Sequence, residues 1–124
     1  MVASSERVRE VAQSYIHLVA NGTSEEIVAL YAEDATVEDP VGSDPLHGHD
    51  AIRAFYAALD PLRIETSLFA MRTVPGTAVF HFEIVTHTDD FTVTVAPIEV
   101  MTFDDEGRIT SMKAYWGEAD MHME

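Results

Sequence analysis

The hydrophobic pattern of this chain shifts from mostly helical to strand-like near residue 60, and that change constrains the fold more than any other feature. Up to about residue 59 the apolar residues recur at helical spacing, apart from one short strand, and from residue 62 onward they follow the pattern of strands. Helices followed by a run of strands are typical of α+β folds, in which an antiparallel sheet packs one face against helices. We therefore predict a cone-shaped roll: a curved, mostly antiparallel sheet wrapped around three N-terminal helices, with an apolar pocket at its open end.

Capping residues and helix breakers set the predicted boundaries of these elements. The predicted elements are a helix from Ser4 or Ser5 to Asn21, a helix opened by the capping box Thr23-x-x-Glu26, a strand ended by Pro40, a loop over 41–49, a helix over 50–59, and strands over 62–73, 77–88, 91–103 and 108–118. No linker, internal repeat or low-complexity segment divides the chain. Residues 1–124 are therefore expected to form a single domain.

The charge balance narrows the class of partner. The 124 residues include 22 acidic and 7 basic side chains, which gives a formal net charge of −15. Because so acidic a chain repels phosphate groups, neither nucleic acid nor a membrane is expected as a partner. The chain has no cysteine, which excludes disulfides, thiolate metal sites and cysteine nucleophiles. Residues 1–10 are polar, and the expected location is cytoplasmic.

A short predicted strand that ends at Pro40 carries a carboxylate, Asp39, at its end. Because side chains on a strand alternate between its two faces, Asp39 is expected to point inward with Ala35 and Val37, while Glu38 faces water. A buried carboxylate is costly unless it has a partner or a chemical role, so Asp39 is a candidate catalytic group. The alternative is a solvated acidic strand tip, since Asp before Pro is common in turns.

A second carboxylate, Glu99, is predicted to line the pocket. It shares its parity with Val95 and Met101, on the more strongly apolar face of the strand predicted over 91–103. Because burial disfavours the charged form of a carboxyl, Glu99 should be hard to ionise. Two alternatives remain open: Glu99 pairs with an arginine from another strand, or a bulge at Pro97 reverses the parity.

Three tyrosines, Tyr15, Tyr31 and Tyr56, each lie on the predicted buried side of a different helix. Buried phenols need hydrogen-bond partners, so the three hydroxyls could form a chain that ends at the pocket. The alternative is three separate tyrosines whose hydroxyls reach solvent or backbone.

Residues suited to metal binding are sparse. His47-x-His49 supplies two candidate ligands, and no third ligand follows at a motif spacing. The chain also lacks a Gly-rich phosphate loop, a serine elbow and an HExxH motif. No metal site is predicted.

Seven short motifs carry a family resemblance. They are Tyr15-Ile16-x-Leu18-Val19, the block from Tyr31 to Gly42, His47-Gly48, Ala54-Phe55-Tyr56, Val100-Met101-x-Phe103-Asp104, Gly107-Arg108-Ile109 and Met112-x-Ala114-Tyr115-Trp116. Together they resemble the bacterial Δ5-3-ketosteroid isomerases, which have the nuclear transport factor 2-like fold. The resemblance covers nearly the whole chain.

The resemblance implies a role for each matching residue. Asp39 takes the place of the family's general base, and Tyr15 takes that of the oxyanion tyrosine, with Tyr56 and Tyr31 behind it in a supporting network. The implied substrate-binding residues are Val19, Phe55, Phe82, Val95, Met112 and Trp116. Judged singly, such large apolar residues are more often ordinary core.

One departure from the family concerns the second oxyanion donor. The family has an aspartic acid, held protonated, immediately before the Val-Met-x-Phe segment, and this chain has Glu99 there. Either Glu99 donates with one extra methylene group, or Tyr15 works nearly alone.

The implied function is that of a steroid Δ-isomerase, which moves the Δ5 double bond of a 3-oxo-Δ5-steroid to Δ4. As in the ketosteroid isomerases, the base would carry a proton from C4 to C6 while two neutral donors bind the C3 oxygen. Because the base is regenerated in each turnover, no cofactor is expected. The resemblance also implies a homodimer. Two rival interpretations remain: another enzyme on the same scaffold, of the polyketide cyclase or epoxide hydrolase type, or a non-catalytic steroid- or lipid-binding protein.

Overall fold

The computed structural model describes residues 1–124 as three α-helices and one eight-stranded sheet. The helices are α1 (Ser5–Asn21), α2 (Ser24–Val28) and α3 (Gly48–Ala57). The strands are β1 (Tyr31–Glu38), β2 (Leu46–His47), β3 (Arg63–Val74), β4 (Thr77–His87), β5 (Thr92–Val95), β6 (Ile98–Phe103), β7 (Ile109–Tyr115) and β8 (Met121–Met123), with a short 3₁₀ helix (Glu118–Asp120) before β8. The predicted α+β roll is confirmed.

Helices α1 and α2 begin at the capping residues that the sequence indicated. The Ser4 side chain accepts a hydrogen bond from the backbone N–H of Arg7 at the start of α1, and Thr23 and Glu26 form a reciprocal capping box at the start of α2. The buried side of α1 packs against β3 and β4, and α3 packs against β1. No helix has both the length and the apolar character needed to cross a membrane.

The strand order of the sheet is β2-β1-β7-β6-β4-β5-β8. Strand β3 pairs with β4 and stands outside this linear order. Strands β1 and β7 run parallel, and all other pairs are antiparallel. In the parallel pair, Glu38 at the end of β1 lies opposite Lys113 of β7. The sheet therefore brings Asp39 close to the C-terminal end of β7.

The strand predicted over 91–103 is interrupted. It consists of β5 and β6, separated at Ala96-Pro97, because proline has no N–H to donate to a strand ladder. Both halves pair with β4 in one continuous register, in which Val95 lies opposite Ile84 and Glu99 lies opposite Phe80. The interruption therefore leaves the parity of Glu99 unchanged, which rules out the alternative that a bulge at Pro97 reverses it.

Four further details differ from the sequence prediction. Part of the predicted loop over 41–49 forms β2, which pairs with β1, and α3 begins two residues early at Gly48. Tyr31 is the first residue of β1 rather than part of the second helix. Strand β8 was not predicted, because its three residues are too few to show a periodic pattern; β5 supplies its hydrogen-bonding edge.

Candidate active site

A cavity of about 240 Å³ opens among the helices and the sheet, and eight of its twelve lining residues are hydrophobic. All three predicted catalytic residues, Asp39, Tyr15 and Glu99, line it, as does Tyr56 of the predicted supporting network. The third tyrosine of the prediction, Tyr31, does not line the cavity and is hydrogen-bonded to Tyr56. The structure thus brings the predicted polar groups together in one largely apolar space.

The predicted substrate-binding residues divide into two groups. Four line the cavity: Val19, Phe55, Val95 and Trp116. The other two, Phe82 and Met112, are 0% and 1% exposed and do not line it. They form part of the hydrophobic core beneath the site, which supports the walls of the cavity.

Asp39 follows β1 directly, and the strand's alternation turns it inward. Ala35 and Val37 on the same parity are buried, whereas the Glu38 carboxylate turns away and accepts a hydrogen bond from the backbone N–H of Gly42 at 2.8 Å. The prediction that Asp39 points toward the pocket is confirmed, and the alternative of a solvated strand tip is excluded.

The indole N–H of Trp116 donates a hydrogen bond to Asp39 Oδ1 at 2.7 Å. Burial raises the pKa of the Asp39 carboxyl, and the bond from Trp116 acts in the opposite direction by stabilising the carboxylate. Sequence reasoning treated Trp116 only as an apolar contact. The structure adds a polar role, because the same side chain holds one oxygen of the carboxylate.

Glu99 lies on β6 and is only 1% exposed. None of the salt bridges of the chain includes it, so the alternative in which it pairs with an arginine is wrong. Its Oε1 atom has no hydrogen-bond partner within the protein. Burial, and then the negative charge of Asp39, raise the pKa of Glu99 well above its usual value, while the nearby Tyr15 acts in the opposite direction. The surroundings thus disfavour the ionised form of Glu99 and leave one of its oxygens without a protein partner.

The three buried tyrosines form a continuous hydrogen-bonded chain. Tyr15 and Tyr56 share a hydrogen bond of 3.1 Å between their hydroxyls, and Tyr56 and Tyr31 share one of 2.7 Å. Burial is the largest cause that raises the pKa of each phenol well above the usual value of 10.0. The chain therefore consists of neutral phenols at pH 7, each of which carries a proton.

The two histidines considered as metal ligands lie at the start of α3. His49 contacts the backbone carbonyl of Tyr31 through Nε2 at 2.8 Å, and His47 occupies the N-cap position of α3. The chain contains no group of three or more His, Asp or Glu side chains arranged to hold a metal ion.

Four residues that line the cavity were not among the predicted site residues: Leu59, Ile84, Thr86 and Pro97. Ile84 and Thr86 share the parity of the buried residues Phe80 and Phe82 on β4. The alternation along β4 therefore carried a signal for both.

Comparison with known proteins agrees with this fold. The profile of the SnoaL-like domain family matches residues 12–112. A protein of Nocardioides simplex named Steroid Delta-isomerase is 47% identical over 117 residues, which cover 94% of this chain and 95% of that protein. The chain belongs to the SnoaL-like domain family and is a homologue of the Nocardioides simplex protein. The family resemblance seen in the sequence is confirmed.

Two solved structures show the same fold at lower identity. One is SalBIII, an epoxide hydrolase/cyclase-like enzyme studied for its role in pyran ring formation in the polyether salinomycin; it has a TM-score of 0.86 and 24% identity over 94% of this chain and 95% of its own. The other is RV0760c of Mycobacterium tuberculosis, with a TM-score of 0.88 and 22% identity over the full length of both chains. At these identities the likeness concerns the fold alone.

The bond from Trp116 should control the ionisation of Asp39. In Trp116→Phe the apolar ring remains and the N–H is lost, so the pKa of Asp39 should rise further, because the carboxylate loses its donor. Titration of the Asp39 carboxyl carbon by NMR measures this pKa. Tyr115→Phe, which alters the exposed neighbour, is the matched control. An unchanged Asp39 titration in Trp116→Phe would show that the bond does not act on the carboxylate.

Burial of Glu99 should make folding stability depend on pH. Because its pKa in the folded state lies above the unfolded value, Glu99 contributes stability at low pH that is lost as pH rises through the folded-state pKa. Relative to the native chain, Glu99→Gln should therefore gain stability as pH rises above about 4.5, by up to about 1.4 kcal/mol per pH unit until Glu99 ionises.

Urea denaturation across a pH series measures this difference, and Glu118→Gln at an exposed position is the control. Parallel stability curves for the native chain and Glu99→Gln would contradict the account of a buried, neutral acid.

Proposed function

We propose that this protein is a steroid Δ-isomerase that converts a 3-oxo-Δ5-steroid to its Δ4 isomer. The observation that carries the proposal is the convergence of Asp39, Tyr15 and Glu99 on one largely apolar cavity. The proposal is supported by the 47% identity to the Nocardioides simplex protein named Steroid Delta-isomerase. An apolar cavity suits the steroid nucleus, and the three polar groups supply the parts that an allylic proton transfer needs.

Asp39 is the proposed general base. It is less deeply buried than Glu99, and it has a donor, Trp116, that favours its charged form. Burial nonetheless raises its pKa, which strengthens it as a base. Ionised Asp39 takes a proton from C4 and returns the same proton to C6, so the carboxylate is restored at the end of each turnover.

Tyr15 and Glu99 are the proposed oxyanion donors. When C4 loses its proton, the electron pair spreads over the dienolate and negative charge develops on the C3 oxygen. The Tyr15 hydroxyl and the protonated Glu99 carboxyl donate hydrogen bonds to that oxygen, and both act in a site of low polarity where such bonds are strong. Tyr56 and Tyr31 support Tyr15 through the hydroxyl chain.

The glutamate in place of the family's aspartic acid is compatible with this role. Its carboxyl lines the cavity and keeps an oxygen free of protein partners. The burial of Glu99 beside Asp39 supports the protonated form that donation requires.

The remaining parts of the proposal concern the substrate contacts and the assembly. Val19, Phe55, Val95 and Trp116 would contact the steroid directly, with Phe82 and Met112 packed behind them. A cytoplasmic location is proposed on the polar character of residues 1–10, and a homodimer on the family resemblance. The homodimer is supported by large apolar side chains that the sheet strands leave exposed: Leu68, Phe69, Val79, Ile98 and Tyr115.

Isomerase activity is tested by mixing the protein with 5-androstene-3,17-dione and following the absorbance of the conjugated enone. The native chain should produce the Δ4 isomer, and Asp39→Asn should lose most of that activity, because an amide cannot accept the C4 proton. Asp34→Asn, at an exposed position of β1, is the matched control. Full activity of Asp39→Asn would overturn the assignment of the base, and an inactive native chain would overturn the proposed function.

Removal of the second oxyanion donor should slow the reaction without abolishing it. Glu99→Ala should lower kcat by about 10² to 10³, the usual effect of losing one such donor. Steady-state kinetics on the same substrate measures the change. A rate within a few-fold of the native rate would mean that Tyr15 works nearly alone.

A further inference from the structure

One polar residue of the cavity has no part in the proposed reaction. Thr86 lies near the end of β4 and lines the same cavity as Tyr15 and Glu99. Its neighbours on the inner face of the sheet are apolar: Ile84 precedes it on β4, and its partners across the sheet are Ile64 and Val93.

The Thr86 hydroxyl has no hydrogen-bond partner within the protein. The nearby Thr66 of β3, by contrast, donates its hydroxyl to the backbone carbonyl of Ile16 at 3.2 Å. A half-buried hydroxyl without a partner in an apolar wall is unfavourable unless a ligand or water satisfies it. Thr86 is therefore a free donor and acceptor that faces the cavity.

Thr86 and the oxyanion donors lie far apart along one strand. Glu99 lies opposite Phe80 of β4, and Thr86 follows Phe80 by six residues on the same face. At about 3.3 Å per residue, roughly 20 Å of strand separates the two positions. A rigid four-ring steroid carries its C3 oxygen at one end and its C17 substituent at the other. With the C3 oxygen between Tyr15 and Glu99, ring D extends toward Thr86.

We propose that Thr86 hydrogen-bonds an uncharged oxygen, a ketone or a hydroxyl, at C17 of the steroid. The inference rests on the proposed function, which fixes the direction in which the steroid lies. The cavity lining includes two carboxyl groups and no basic residue, which disfavours an anionic substituent. His87, the next residue on β4, is hydrogen-bonded to Glu65 and not to a group of the cavity. Thr86 is thus a specificity-determining residue for small steroids oxygenated at C17.

The test compares two products that differ only in the C17 oxygen: 4-androstene-3,17-dione and 4-androsten-3-one. Trp116 is the single tryptophan of the chain and lines the cavity, so quenching of its fluorescence reports the binding of either steroid. The ratio of the two dissociation constants should shift about five-fold against the 17-oxo steroid in Thr86→Val, which keeps the shape and loses the hydroxyl. Thr86→Ser, which keeps the hydroxyl, should retain the native ratio.

Thr94→Val is the matched control, because Thr94 lies on the opposite parity to Val95 on the adjacent strand β5. The inference is overturned if Thr86→Val leaves the ratio of dissociation constants unchanged, or if Thr94→Val shifts that ratio equally. It is also overturned if the native chain binds neither steroid.

In turnover, Thr86→Val should raise KM for 5-androstene-3,17-dione and leave kcat unchanged, since the contact is made equally before and during the reaction. The binding arm needs no turnover, so a protein that binds with the expected ratio and fails to isomerise would overturn the proposed function alone.

Discussion

The site depends on the burial of a carboxyl group without a cation to neutralise it. Glu99 is enclosed in an apolar space, forms no salt bridge and lies near a second acid, Asp39. Two ionised carboxylates in such a space repel each other and lack solvation, so one of them keeps its proton. The surroundings of the two acids differ. Asp39 accepts a hydrogen bond from the indole N–H of Trp116, which favours its ionised form, whereas Glu99 is more deeply buried. The proposed mechanism uses this difference, with Asp39 as the base and Glu99 as the donor.

The pairing of the strands sets the positions of Asp39 and Glu99. Parallel pairing of β1 with β7 places Asp39 within reach of Trp116, although 77 positions separate the two residues in the sequence. Antiparallel pairing of β4 with both β5 and β6 keeps Glu99 on the inner face in spite of the break at Pro97. The helices then supply the phenols: α1 carries Tyr15, and α3 carries Tyr56, which bonds both Tyr15 and Tyr31. The tyrosines and Glu99 belong to regular elements, and Asp39 directly follows one, which limits their movement relative to a rigid ligand.

Alternation along strands was enough to predict much of this from the sequence. The parity of Asp39 with Ala35 and Val37, and of Glu99 with Met101, identified both inward carboxyls before any family was considered. What the sequence could not supply were contacts between distant segments. The bond from Trp116 depends on the pairing of β1 with β7, and the short strand β8 forms only because β5 offers a hydrogen-bonding edge. Membership in the SnoaL-like family does not fix the reaction, since the same fold occurs in the epoxide hydrolase/cyclase-like SalBIII.

The central claim is that one carboxylate carries a proton across the face of a steroid bound by neutral donors. The most direct measurement uses 5-androstene-3,17-dione with deuterium at both C4 positions and locates the label in the product by NMR and mass spectrometry. Transfer by Asp39 within the closed cavity predicts that part of the label from C4 appears at C6 of the Δ4 product. A product in which C6 carries only solvent hydrogen, or the absence of any Δ4 product, would contradict the account.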